Sequence, residues 1–83
     1  MGRPRRDTKL LQAIAARLRD LRKERGLSQI DVYIDTDIHV IDTDIHVGRV
    51  ERGRTNISVS TLSALCRHYG VSLQEFFEGF PSE

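Results

Sequence analysis

The stretch from Asp44 to Arg54, Asp-Ile-His-Val-Gly-Arg-Val-Glu-Arg-Gly-Arg, most constrains what this chain can fold into. At about 100° per residue, a helix through it puts Val47, Val50 and Glu51 on one side. Ile45, Arg49 and Arg52 fall on the other. One side is apolar but for a single carboxylate, and the other carries guanidinium. Gly53 sits where such a helix stops. In a chain of 83 residues the core is small, so every helix must contribute an apolar stripe to a single domain.

The flanks supply those stripes. From Thr8 to Arg25, Leu11, Ile14, Ala15, Leu18 and Arg22 fall within a narrow angular range, and Gly26 follows as a stop. Arg22 is the odd member, because a guanidinium on an apolar face either finds an acid or snorkels to water. Glu51 is the matching oddity on the later helix. Ser28 with Asp31 three residues on has the form of a capping box and opens a second helix. Ser58 or Ser60 caps another, in which Leu62, Leu65, Cys66 and Tyr69 form a stripe, so Cys66 reads as core rather than as a nucleophile. Gly70 ends that helix, and Ser72 with Glu75 caps a short last one carrying Phe76 and Phe77. These two, with Phe80, serve either core closure or a dimer seam. Residues 1–7 read as a flexible basic arm, residues 8–80 as one domain and residues 81–83 as a tail.

Between the second helix and the Asp44–Arg54 stretch, Ile34-Asp-Thr-Asp-Ile-His-Val40 is followed at once by an identical Ile41-Asp-Thr-Asp-Ile-His-Val47. Seven residues are two helical turns less about 20°, so a copy inserted within a helix would restore nearly the same face. Ten of the eighteen residues from 30 to 47 are β-branched, however, and apolar and polar residues alternate from Ile30 to Val40. That is the period of a strand. Residues 30–47 therefore carry two readings, helix or paired strands, the second giving an α+β fold in a swapped or intertwined dimer. On strands, Asp35, Asp37 and His39, and again Asp42, Asp44 and His46, would share a face whose ligand types suit a metal ion. No Cys pair or familiar spacing accompanies them, and a solvated acidic face accounts for them equally; no metal or other cofactor is expected.

Charge is segregated along the chain. Residues 1–25 carry a net +6, residues 26–47 −5, residues 48–70 +3 and residues 71–83 −3, for a total of +1. Basic blocks fit phosphate contact, although ordinary solvated helix faces look the same in charge alone. Hydrophobic residues are 39% and no apolar run approaches the roughly 18 residues of a membrane span, so a soluble chain without membrane contact is expected. The start, Met-Gly-Arg-Pro-Arg-Arg, has no apolar core for a secretory signal. With Cys66 as the single cysteine, a reducing, cytoplasmic location is expected.

The Gly26-Leu-Ser-Gln29 opening, the Val50-Glu-Arg-Gly53 close and the Gly70-Val-Ser-Leu73 ending together resemble the Cro/C1-type helix-turn-helix regulators of the xenobiotic response element family. The resemblance covers residues 10–79 and implies a compact all-α domain of five helices. It implies a sequence-specific DNA-binding transcriptional regulator that acts as a homodimer on a twofold operator. Carried over by position, Thr43 caps the recognition helix, and Asp44, Ile45, His46 and Arg49 face base edges. Gln29, Arg52, Arg54 and Asn56 hold phosphate, and Arg22 pairs with Glu51. If the first repeat copy is the one used, Thr36 to His39 replace Thr43 to His46. The middle departs from the family: Glu51 lies 23 positions after Ser28, removal of one copy leaves 16, and the family's usual spacing falls between. The second copy thus reads as an insertion that impairs DNA binding. The homodimer would form through residues 30–47 or through Phe76, Phe77 and Phe80. Rival readings are a protein-interaction module or antitoxin of the same fold, and a metal-binding β assembly. An enzyme is not expected, since no nucleophile, base and oxyanion set assembles from these residues.

Overall fold

A computed structural model describes residues 7–36, 46–53 and 56–80. Among them the chain forms helices α1 (Thr8–Glu24), α2 (Gln29–Asp35), α3 (Val47–Glu51), α4 (Val59–Tyr69) and α5 (Leu73–Phe76), with no strand. The domain is all-α.

Each helix start has a local cause. Asp7 Oδ1 accepts from Leu10 N at 3.0 Å, so the last residue assigned by sequence to the arm caps α1. Ser28 and Asp31 exchange side-chain-to-backbone bonds of 3.0 and 2.9 Å, and Ser72 with Glu75 repeats the device at α5. Both are capping boxes, which satisfy two otherwise orphaned N–H groups at once. In each box the serine's N–H and O–H hold the carboxyl of Asp31 or Glu75 below its ordinary carboxylate range. Ser58 caps α4.

The strand reading of residues 30–47 fails where the structure describes them, because residues 30–35 lie within α2. One local fact and one tertiary fact override the β-branched composition. The capping box commits the backbone at Ser28, and a helix is what carries Val32 to complete burial in the core. At the far end Thr36 turns extended, and its hydroxyl donates to Val32 O at 2.7 Å. Residues 37–45, which hold most of both repeat copies, lie outside the described residues.

The core joins Ile14 and Leu18 of α1, Val32 of α2, Val47 and Val50 of α3, and the Leu62, Leu65, Cys66 and Tyr69 stripe of α4, with Phe76 closing it. Phe76 is thus core, so among the three C-terminal phenylalanines accessible surface remains only on Phe77 and Phe80. Helix α3 packs on both α1 and α2, and this sandwiching fixes which of its sides looks outward.

Candidate nucleic-acid interface

Helix α3 is only five residues long, too short to be stable by itself, so its placement depends on what holds it. Glu51 is 3% exposed and is the anchor. Arg22 of α1 donates to it twice, from Nε to Oε2 at 2.7 Å and from Nη2 to Oε1 at 3.0 Å. The third arm of the same guanidinium, Nη1, donates to Leu27 O at 2.7 Å in the α1–α2 turn. Gln29 of α2 adds a bond from Nε2 to Glu51 Oε1 at 3.1 Å, and Arg19 Nη1 donates to the Glu51 carbonyl at 2.8 Å. One carboxylate therefore ties together α1, α2 and α3. The bond to Glu51 holds the Arg22 guanidinium above its already high range, the opposing effect of burial notwithstanding. Tyr69 lies behind this cluster; burial first, and the Glu51 charge second, push its phenol up to about 12.

With Val47, Val50 and Glu51 turned inward, Arg49 and Arg52 are exposed. Arg52 Nε donates to Gly48 O at 3.2 Å, which leans its guanidinium along the helix. An open groove of about 460 Å³ is shared by the helix pair. Helix α2 lines it with Gln29, Ile30 and Tyr33, and the α3 segment lines it with His46, Val47, Gly48, Arg49 and Arg52. Gly48 leaves the groove wall without a side chain: a Cβ there would come 3.2 Å from Gln29 Oε1, a tight approach, and 3.5 Å from Arg52 Nη2, an ordinary contact. The groove so built offers cationic hydrogen-bond donors beside apolar surface, a combination suited to an anionic partner that also presents flat or methylated faces.

Of the residues that the sequence assigns to bases, His46 and Arg49 lie together at this groove. Thr43, Asp44 and Ile45 lie outside the described residues. The N-cap position of α3 is taken by His46, whose side chain makes no capping bond, rather than by Thr43. Of the phosphate set, Gln29 and Arg52 line the groove. Asn56 is exposed in the segment leading to α4, and Arg54 lies outside the described residues. Sequence reasoning did not single out Arg19, whose contact is to a backbone carbonyl, nor Ile30, Tyr33 and Gly48. For Ile30 and Tyr33 the signal is the apolar residues left over on α2 once Val32 has been assigned to the core.

Among the described residues no three His, Cys, Asp or Glu side chains converge as a metal site would need. Asp37, His39, Asp42 and Asp44 are outside them. No described helix is long and apolar enough to cross a membrane.

A family model described as a helix-turn-helix domain matches residues 13–76, from within α1 to the end of α5. The HTH-type transcriptional regulator DdrOP3 of Deinococcus deserti is 39% identical over 66 residues, covering 80% of this chain and 48% of that protein. The chain spans about half the length of that relative.

Proposed function

Because the chain belongs to the helix-turn-helix domain family, we propose that it is a sequence-specific DNA-binding transcriptional regulator, cytoplasmic and acting as a homodimer on a twofold operator. The observation that carries this reading is the division of α3: Val47, Val50 and Glu51 are buried while Arg49 and Arg52 are exposed beside α2. A helix held rigidly from behind, with guanidinium in front, is the arrangement that major-groove reading requires.

In this reading His46 and Arg49 face base edges, and the resemblance extends the set to Thr43, Asp44 and Ile45. Asp44 would accept from a cytosine amino group. Arg49, in the middle of the exposed side, is suited to donate to guanine O6 and N7. Arg52, Arg54 and Asn56 neutralise or bond phosphate. Gln29 takes two roles, since one amide hydrogen is engaged by Glu51 and the other is left for a phosphate oxygen. The dimer contact runs through residues 30–47 or through Phe77 and Phe80, Phe76 being buried.

The test is selection of a binding site from random DNA, followed by titration of the parent, Arg49→Ala and Arg52→Ala over a range of salt. Arg49→Ala should flatten the preference among sequences, by about 1–3 kcal/mol at one base pair. Arg52→Ala should weaken all sequences alike and lower the salt slope by about 1. Identical profiles for the two variants would remove the division of roles, and no binding to any DNA at low salt would remove the function.

A further inference from the structure

We infer that Ile30 is a specificity-determining residue, receiving the C5-methyl group of a pyrimidine in the major groove. This rests on the DNA-binding reading and adds to it a base contact made from α2, the helix that precedes the reading helix. Ile30 is the second residue of α2 and is 68% exposed. It lines the same groove as Arg49 and His46. Val32 on the opposite side of α2 is fully buried, so the outward direction of Ile30 is set by the core and not by a free choice of rotamer.

The chemistry narrows what Ile30 meets. A phosphate contact needs a donor, and an isoleucine side chain has none. Base edges in the major groove are otherwise donors and acceptors, and their one apolar feature is the methyl on C5, which thymine carries and cytosine acquires on methylation. Gly48 keeps the approach open. The groove has bare backbone there, where a Cβ would stand 3.2 Å from Gln29 Oε1, so a base edge between Ile30 and Arg49 meets no intervening side chain at that position. Arg49 and Ile30 then read neighbouring pairs in complementary ways, one by hydrogen bonds and one by contact with a methyl group.

The experiment replaces each thymine of a selected binding site, one at a time, by deoxyuridine, which differs only in lacking the methyl. Cytosine and 5-methylcytosine are placed at the same position as a second pair. Binding is measured by fluorescence anisotropy for the parent and for Ile30→Ala and Ile30→Val, with circular dichroism checking that the variants stay helical. For the parent, one thymine per half-site should lose about fourfold in affinity on demethylation, the effect of roughly one methyl group removed from water. Cytosine should gain similarly on methylation. Ile30→Ala should bind thymine and uracil sites equally, and Ile30→Val should keep part of the difference. If the parent binds specifically but treats thymine and uracil alike at every position, or if Ile30→Ala keeps the full difference, this inference falls and the DNA reading stands. The same discrimination at a sugar contact is not expected, since the sugar is unchanged by demethylation. If the parent selects no sequence and binds no DNA at low salt, both readings fall.

Discussion

Glu51 gathers more donors than any other described side chain, and its position explains why a carboxylate sits on an otherwise apolar helix face. Two bonds from Arg22, one from Gln29 and one from Arg19 to its carbonyl tie the five-residue α3 to α1 and α2. Replacing Glu51 by Ala leaves the Arg22 guanidinium, with 11% of its side chain exposed, without its charge partner. Removal of one side of a buried pair is strongly destabilising, and about 3 kcal/mol is expected for Glu51→Ala. Glu51→Gln keeps the shape and part of the hydrogen bonding, and should lose less. A chemical denaturation midpoint for Glu51→Ala equal to that of the parent would show that the ion pair contributes nothing. Tyr69, behind the same cluster, gives a second and independent expectation. Its phenol titrates near 10 in an unfolded chain and is raised to about 12 in the fold. Below pH 10 both states hold the proton and the neutral phenol's contribution is fully present. Between pH 10 and 12 the unfolded state releases a proton that the folded state keeps, so stability falls as pH rises, and the contribution is lost above the folded value. Denaturation measured from pH 9 to 12 should show this decline in the parent and a shallower one in Tyr69→Phe; equal slopes would assign the decline to other groups.

At the scale of elements, the turn that ends α3 is as demanding as its anchor. Gly53 has φ +75°, a left-handed conformation costly to residues with a Cβ, and a Cβ there would come 3.1 Å from Gln12 Cα on the backbone of α1. Gly53→Ala should therefore destabilise by about 2 kcal/mol, from the backbone penalty of roughly 1–2 kcal/mol plus displacement of α3 from α1. Gly26→Ala carries the conformational penalty alone, since nothing lies within 4 Å of its Cβ position. Thermal melts in which the two variants behave identically would mean that the close approach to Gln12 is relieved without consequence. How far such elements are legible in the sequence varies with what encodes them. Caps are local, and Ser28 with Asp31, Ser58, and Ser72 with Glu75 announce their helices within four residues. The inward side of α3 is legible because Val47, Val50 and Glu51 share one angular range. Helix α2 is legible only at its start, where the capping box opens it; its seven residues alternate like a strand, and the burial of Val32 in the core decides against that reading. The groove is hidden for a related reason: Ile30 and Gly48 are 18 positions apart and meet only when α3 docks.

At the scale of the whole molecule, the proposed dimeric reading makes the repeat the feature that would set how two copies present α3. Eleven residues, Thr36 to His46, connect α2 to α3, and removal of residues 41–47 would leave four, Thr36 to His39, with Val40 taking the place of Val47 before Gly48. The residues after the deletion point are unchanged, and among the described residues the anchoring of α3 through Glu51 draws on Arg19, Arg22 and Gln29, all outside the repeat. The single-copy chain should accordingly fold with α3 held in the same way. Its DNA binding should differ. A dimeric reader needs its two α3 helices about 34 Å apart, one turn of DNA, and where the seam between copies runs through residues 30–47 an extra heptad there changes that separation even with α3 held alike in each copy. The extra copy also adds two carboxylates, Asp42 and Asp44, and no lysine or arginine, close in sequence to the surface that would meet phosphate. Both effects act against binding. The parent is expected to be a dimer or larger species by light scattering, with lower operator affinity than the chain lacking residues 41–47. Part of that difference should shrink as salt is raised, because the repulsion between the added carboxylates and phosphate is screened while the geometric misfit is not. A monomeric parent with DNA affinity equal to the single-copy chain at every salt concentration would mean that the second heptad is a connection without effect on reading.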